Sequence, residues 1–263
     1  MKQHSSLISA LIIVVIIAFV VFDIFAPKKI GIPQDSEPTA TSSTTDKSVT
    51  GSVSASTVSV KESSPSTPTI DVEFPQFTGL PADFNETIGA SVSGRLADFR
   101  EIIMENDIAR KTTSASGGAA IPLSAFSFNA SWKPGRVDDR YVSIVVRYDS
   151  YAGGANENQE LETFNYDVAA KKTLVLSDLF PGTTDYLVQI STLARADLKA
   201  KLEQASNGSI LPEMFDAGTV AIDENYHNFT FTDNTVTIYF PKYSVAPGAF
   251  GEQKVVIQRD AVK

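Results

Sequence analysis

Between Tyr141 and Asp167 the chain alternates. Val142, Ile144, Val146 and Tyr148 fall on one side, and Ser143, Arg147 and Asp149 on the other. A period of two is the mark of a half-buried strand. Gly153-Gly154 break it, Ala155 to Asn158 supply a polar turn, and Leu161, Thr163, Phe164 and Tyr166 form a returning arm. The stretch therefore predicts a β-hairpin. Leu123–Trp132 places Phe126, Phe128, Ala130 and Trp132 on one side and predicts a strand ahead of it, with Pro134 to Asp139 as the turn between. The three strands read as an antiparallel meander. Ile70, Val72 and Phe74 alternate as well, and Pro75, which has no N–H to donate, limits that strand to an edge or end position.

Two stretches change to the helical period. Phe84, Ile88, Val92, Leu96, Phe99 and Ile103 recur every three or four residues and predict a helix over 82–111. Leu187, Ile190, Ala194, Leu198 and Leu202 do the same over 184–204. Short turns are expected at 177–180 and 211–215. Strands are expected at 228–232 and 235–240, around the hairpin signal Asp233-Asn234, and at 253–258. The layout is α+β: two long helices packed on antiparallel sheet, in two consecutive halves (about 70–165 and 166–263) sharing a core.

The chain ahead of this domain is of two kinds. Residues 7–22 are almost unbroken apolar sequence, and 7–26 as a helix match a hydrocarbon core of roughly 30 Å. The run exceeds a usual signal-peptide core, no A-x-A-like site follows, and Pro27 stands where a cleaved product would begin. The expectation is an uncleaved single-pass anchor, N-terminus inside, with the domain on the outer face of the cell membrane. Residues 27–69 are rich in Ser, Thr and Pro and are expected to be a disordered linker.

Charge and composition narrow the chemistry. The chain carries a formal −9. Residues 1–69 hold five Lys/Arg and five Asp/Glu, which cancel, so the whole −9 belongs to residues 70–263. Such a domain does not suit nucleic acid and does suit a cationic partner. There is no cysteine, which removes disulfides, thiolate nucleophiles and Cys-based metal sites. With only His4 and His227, neither a Ser–His–Asp triad nor a zinc site is expected, and no cofactor-binding motif is present. Carboxylates sharing the hairpin (Glu157, Glu160, Glu162 and Asp167) leave open a carboxylate-dependent hydrolase acting on cell-wall glycan. A structural or assembly subunit without ligand is a third reading. The aromatic and polar residues at the hairpin and a following loop suggest a binding surface: Tyr148, Tyr151, Gly153, Gly154, Asn156, Glu157, Asn165, Tyr166 and Tyr243. Equally, the tyrosines can be half-buried sheet residues.

The segments YDSYAGGANEN, ETFNYDVAAKKTLVLSDLF, YLVQISTLARADL and NFTFTDNTVTIYFPKYSVAPGAFGEQKVVI, in that order, resemble the extracellular domain of RsiV-type lysozyme-sensing anti-sigma factors. A similar module precedes the catalytic domain of a peptidoglycan deacetylase. The resemblance runs from about Ile70 to the C-terminus and implies an α+β fold and an extracytoplasmic binding role. The implied partner is a cell-wall component or a cationic protein such as lysozyme. That family often has His after Gly-Gly-Ala, where this chain has Asn156.

Overall fold

A computed structural model of the chain describes residues 52–64, 66–114, 121–205 and 211–263. The apolar stretch 7–26 lies outside them. Among the described residues no helix is long and apolar enough to cross a membrane.

The fold is α+β. In order come β1 (Ser54–Ser64), β2 (Thr67–Thr78), α1 (Ala82–Ser114), β3 (Ser127–Val137), β4 (Tyr141–Tyr151), β5 (Asn158–Asp167) and β6 (Lys172–Thr173). Then follow α2 (Tyr186–Ala205), α3 (Pro212–Thr219), α4 (Asp223–Tyr226), β7 (Phe229–Phe231), β8 (Thr235–Phe240) and β9 (Gln253–Gln258). The first six strands form one sheet in sequence order, and the last three form a second.

The helical stripe of α1 is buried as its spacing requires, with Phe84, Ile88, Val92, Leu96, Phe99 and Ile103 all inside. It packs on Ile70, Val72, Phe128, Ala130, Val142, Ile144, Val146 and Tyr148, the residues that alternate onto one face of the large sheet. Each large aliphatic or aromatic side chain so buried stabilises the fold by about 1.5–3 kcal/mol. A second cluster joins the inward stripe of α2 (Ile190, Ala194, Leu198, Leu202) to Phe229, Phe231, Val236, Ile238 and Val255 of the small sheet. The expected common core is thus two clusters, with Val145, Leu161 and Tyr239 forming a small third one.

Three expectations change. The linker expected over 27–69 ends earlier, because Ser54–Ser64 is a strand and Thr67 begins the next. Its Ser/Thr composition offers little surface to bury. What orders it is an antiparallel ladder along β2, an ion pair of Lys61 with Asp71 at 3.0 Å and one of Glu62 with Arg100 at 2.6 Å. Next, β2 runs through Pro75 to Thr78, and it pairs with β3 in parallel rather than antiparallel. That pairing stops at Val72, so Pro75 has no β3 neighbour to which it owes an N–H. Finally, the turn expected at 134–139 is strand as far as Val137, with an irregularity between Pro134 and Arg136.

The hairpin agrees with its pattern. β4 and β5 pair without a register shift from Tyr141–Asp167 to Ser150–Asn158. β4 is buried on both faces over Val142–Val146, because the helix covers one and the small sheet meets the other.

Candidate recognition cleft

The small sheet covers only part of the large one. Its β7 edge docks on the face opposite α1. The Phe231 N–H donates to Ser143 Oγ at 2.9 Å, and Asn165 Nδ2 donates to the Phe229 carbonyl at 2.9 Å. Gly135 passes so near Thr230 that a Cβ there would lie 2.8 Å from the threonine Cβ. The cover ends at Arg147, whose guanidinium makes two hydrogen bonds to Glu252, 2.8 and 2.7 Å long, and lies over the Tyr239 ring.

Beyond Arg147 the same face is bare and forms a cleft of about 360 Å³. Thr69 and Asp71 of β2, Ser127 and Asn129 of β3, Asp149 of β4 and Gln159 of β5 line it, with Glu157 at the turn. Phe128 of β3 also touches the cleft; the other six strand residues sit at odd positions, while the even-numbered Ile70, Val72, Phe128, Ala130 and Tyr148 pack in the cluster beneath the helix. Strand alternation therefore gives the cleft a floor of hydroxyls, amides and carboxylates. Burial pushes the Asp149 carboxyl up from the usual carboxylate range, and the negative charge of Glu157 adds to this; a hydrogen bond from Gln159 and the charge of Arg147 act against it. Asp71 is balanced by Lys61.

The loop after β8 adjoins the Glu157 end. Lys242 Nζ donates to the Glu157 carbonyl at 3.1 Å and lies 5.5 Å from the centre of the Tyr243 ring. Tyr243 has φ +72, a conformation few non-glycine residues adopt. Its ring lies against Gly248, where an added Cβ would fall 2.2 Å from a ring carbon, so only glycine fits beneath it. The loop is pinned by buried Val245 and Ala246, and Tyr243 stays 57% exposed. The result is a fixed, exposed aromatic ring beside Lys242, outside the residues that line the cleft.

The nine residues singled out from sequence fall into two groups. Tyr151, Gly153, Gly154, Asn156, Glu157 and Tyr243 lie at or near the surface of the hairpin tip and its neighbouring loop. The glycines adopt φ +97 and +109, and the Tyr151 hydroxyl donates to the Gly154 carbonyl at 3.1 Å, closing the tip. Tyr148, Asn165 and Tyr166 are turned inward. Tyr148 is 3% exposed, lies under the Arg95 guanidinium and is hydrogen-bonded to Ser91, which in turn donates to Glu162. Tyr166 packs against Phe84. Asn165 spends its carboxamide on Ser143 and β7. The cleft residues Thr69, Asp71, Ser127, Asn129 and Gln159 were not singled out, since neither the parallel β2–β3 pairing nor the extent of the cover is visible along the chain.

The chemistry available is hydrogen bonding and charge. Among the described residues no group of three or more His, Asp or Glu is arranged to hold a metal ion. His227 is spent locally. Its Nε2 lies 2.9 Å from Asn228 Nδ2, a donor, so Nδ1 carries the proton and donates to the Glu224 carbonyl at 2.6 Å.

Residues 177–260 match DUF3298, a protein family of unknown function. The chain is also similar to individual proteins. The peptidoglycan-N-acetylmuramic acid deacetylase PdaC of Bacillus subtilis is 32% identical over 135 residues, which is 51% of this chain and 28% of PdaC. Esterase Rv3036c of Mycobacterium tuberculosis is 27% identical over 121 residues, 46% of this chain and 50% of the esterase. The chain thus spans half or less of these curated relatives. A DUF3298 family protein from Bacteroides fragilis shares the fold, with a TM-score of 0.51 at 18% identity over 80% of this chain and 92% of that one.

Proposed function

We propose that the domain is a recognition module of the cell envelope that takes a cell-wall glycan in the cleft between β2 and the hairpin tip. The observation that carries this is the cleft floor. Hydroxyls, carboxamides and carboxylates converge there on a rigid sheet, the donor and acceptor mixture that a polyhydroxyl ligand needs. Tyr243, next to the Lys242 that bonds the Glu157 carbonyl, offers an exposed aromatic ring near that end against which a sugar can pack. The relationship to PdaC, whose name gives peptidoglycan N-acetylmuramic acid as its substrate, supports the same ligand class. The apolar stretch 7–26 supports an anchor that holds the module at the outer membrane surface.

A second reading is a cationic protein such as a lysozyme, favoured by the −9 of residues 70–263 and by Asp71, Asp149 and Glu157 in one cleft. The RsiV-type resemblance points the same way. Co-sedimentation of the full chain with insoluble peptidoglycan, beside pull-down on immobilised lysozyme, each at low and high salt, separates the two. Glycan binding that survives salt supports the first reading. Lysozyme binding that falls steeply with salt supports the second. Neither binding at low salt refutes both. A carboxylate-dependent hydrolase predicts turnover of peptidoglycan fragments that Glu157→Gln abolishes.

A further inference from the structure

Three carboxylates border the cleft, and they are balanced unequally. Asp71 is ion-paired with Lys61 at 3.0 Å, and the same lysine lies 3.8 Å from Glu73. Arg147, two residues along β4 from Asp149, makes both of its hydrogen bonds to Glu252. Lys242 donates to the main-chain carbonyl of Glu157 and not to its carboxylate. Among the described residues, therefore, neither Asp149 nor Glu157 has an ion-pair partner. Asp149 registers the consequence. Burial raises the affinity of its carboxyl for a proton, and the Glu157 charge raises it further. A cation placed between the two would relieve both effects.

The rest of the lining has little to offer an acetyl group. Phe128, 3% exposed, is the only apolar residue among those that border the cleft. An acetyl methyl entering there would strip water from hydroxyls, carboxamides and carboxylates and meet almost no apolar surface in return. An ammonium in the same place has three N–H groups to donate. Hydrogen bonds from it to carboxylates are of the stronger, charge-assisted kind.

We propose, resting on the glycan reading of the cleft, that the site selects amino sugars whose nitrogen is free over their N-acetylated forms, with Asp149 and Glu157 taking the ammonium. The hydroxyls of Thr69 and Ser127 and the carboxamides of Asn129 and Gln159 serve the ring hydroxyls of either form, so the two carboxylates decide the preference. An amine flanked by electron-withdrawing oxygens titrates near the α-amino range, about 7.7–8.0, and is largely cationic at pH 7. Such a sugar arises by hydrolysis of the N-acetyl amide, which consumes water and releases acetate. The module binds the product of that class of reaction.

The test uses the full chain in mild detergent and two defined probes, the tetramers of glucosamine and of N-acetylglucosamine, titrated by calorimetry at pH 7. At low salt the glucosamine tetramer is expected to bind on the order of tenfold more tightly. The ratio should fall as salt rises, while binding through hydroxyls and carboxamides persists. The double variant Asp149→Asn, Glu157→Gln should bind the two probes alike. Glu86→Gln with Glu213→Gln removes the same charge from exposed positions on α1 and α3, away from the cleft lining. It should keep the preference, which sets the cleft carboxylates apart from simple attraction to the −9 of the domain. Binding of neither tetramer, equal or weaker binding of the free amine, or a preference that survives in the cleft variant would overturn the inference. So would a preference lost equally in the helix variant. The glycan reading is judged separately, by co-sedimentation with peptidoglycan, so the two failures are told apart.

Discussion

Ser143 Oγ donates to Asn165 Oδ1 at 2.6 Å, and both residues are buried where the two sheets meet. The pair works as a clamp. Ser143 accepts from the Phe231 N–H and Asn165 donates to the Phe229 carbonyl, so two side chains of the large sheet occupy the edge of β7. A strand edge that would otherwise be bare inside the protein is thereby satisfied. Ser143→Ala strands a buried N–H and a buried carboxamide oxygen. It should cost about 2–4 kcal/mol in urea unfolding. Asn165→Ala should cost a similar amount, and the double variant less than the sum of the two, because the residues share one network.

Gly135 sets the closeness of that junction on β3. Gly135→Ala brings a methyl group to 2.8 Å from Thr230 Cβ and 3.3 Å from the Phe231 carbonyl. The backbone carbonyl cannot swing aside as a long side chain can. Destabilisation of about 1–3 kcal/mol is expected from such overpacking, measured by thermal or urea unfolding. An unchanged midpoint would mean that the sheets separate freely.

Much of this arrangement is legible along the chain, and the exceptions have physical causes. The hairpin, the α1 stripe and β9 announce themselves because one face of each is apolar and the period is unbroken. Tyr148 shares its parity with Val142, Ile144 and Val146, so its inward position follows from alternation even though its residue type suggests a surface. Asn165 gives no such clue. Its strand is covered on both faces at that point, and a buried carboxamide is explained only by β7, more than sixty residues later. β1 reads as a tether because its order comes from a ladder with β2 rather than from its own side chains. The cleft residues become visible only once β2 is known to lie beside β3.

Asp149 offers a pH test. Burial and the charge of Glu157 raise its folded pKa above the unfolded value. The folded state then holds the proton more tightly. The contribution favours the fold at acid pH and is lost as pH rises through the folded pKa, so the ionised carboxylate opposes folding at neutrality. Asp149→Asn should therefore raise the melting temperature near pH 7, and the gain should shrink as pH falls below the carboxylate range. If the cleft is the binding site, the same variant weakens co-sedimentation with peptidoglycan while it stabilises the domain. Such an opposition is typical of a residue retained for function at a cost in stability.

Tyr243 separates rim from scaffold in a similar way. Its positive φ carries a strain of about 1–3 kcal/mol, which its contact with Gly248 and the buried Val245 and Ala246 hold in place. Asparagine accepts that backbone conformation more readily than tyrosine does. Tyr243→Asn therefore relieves strain while losing the ring contact, and the melting temperature should move little. Binding to peptidoglycan should fall several-fold, because the exposed aromatic face is gone. Tyr243→Phe keeps the face and loses only the hydroxyl, so it should bind as the unaltered chain does. If Tyr243→Asn binds equally well, the ring is no part of the site. If Tyr243→Phe fails as badly as Tyr243→Asn, the hydroxyl rather than the stacking face is what the ligand reads.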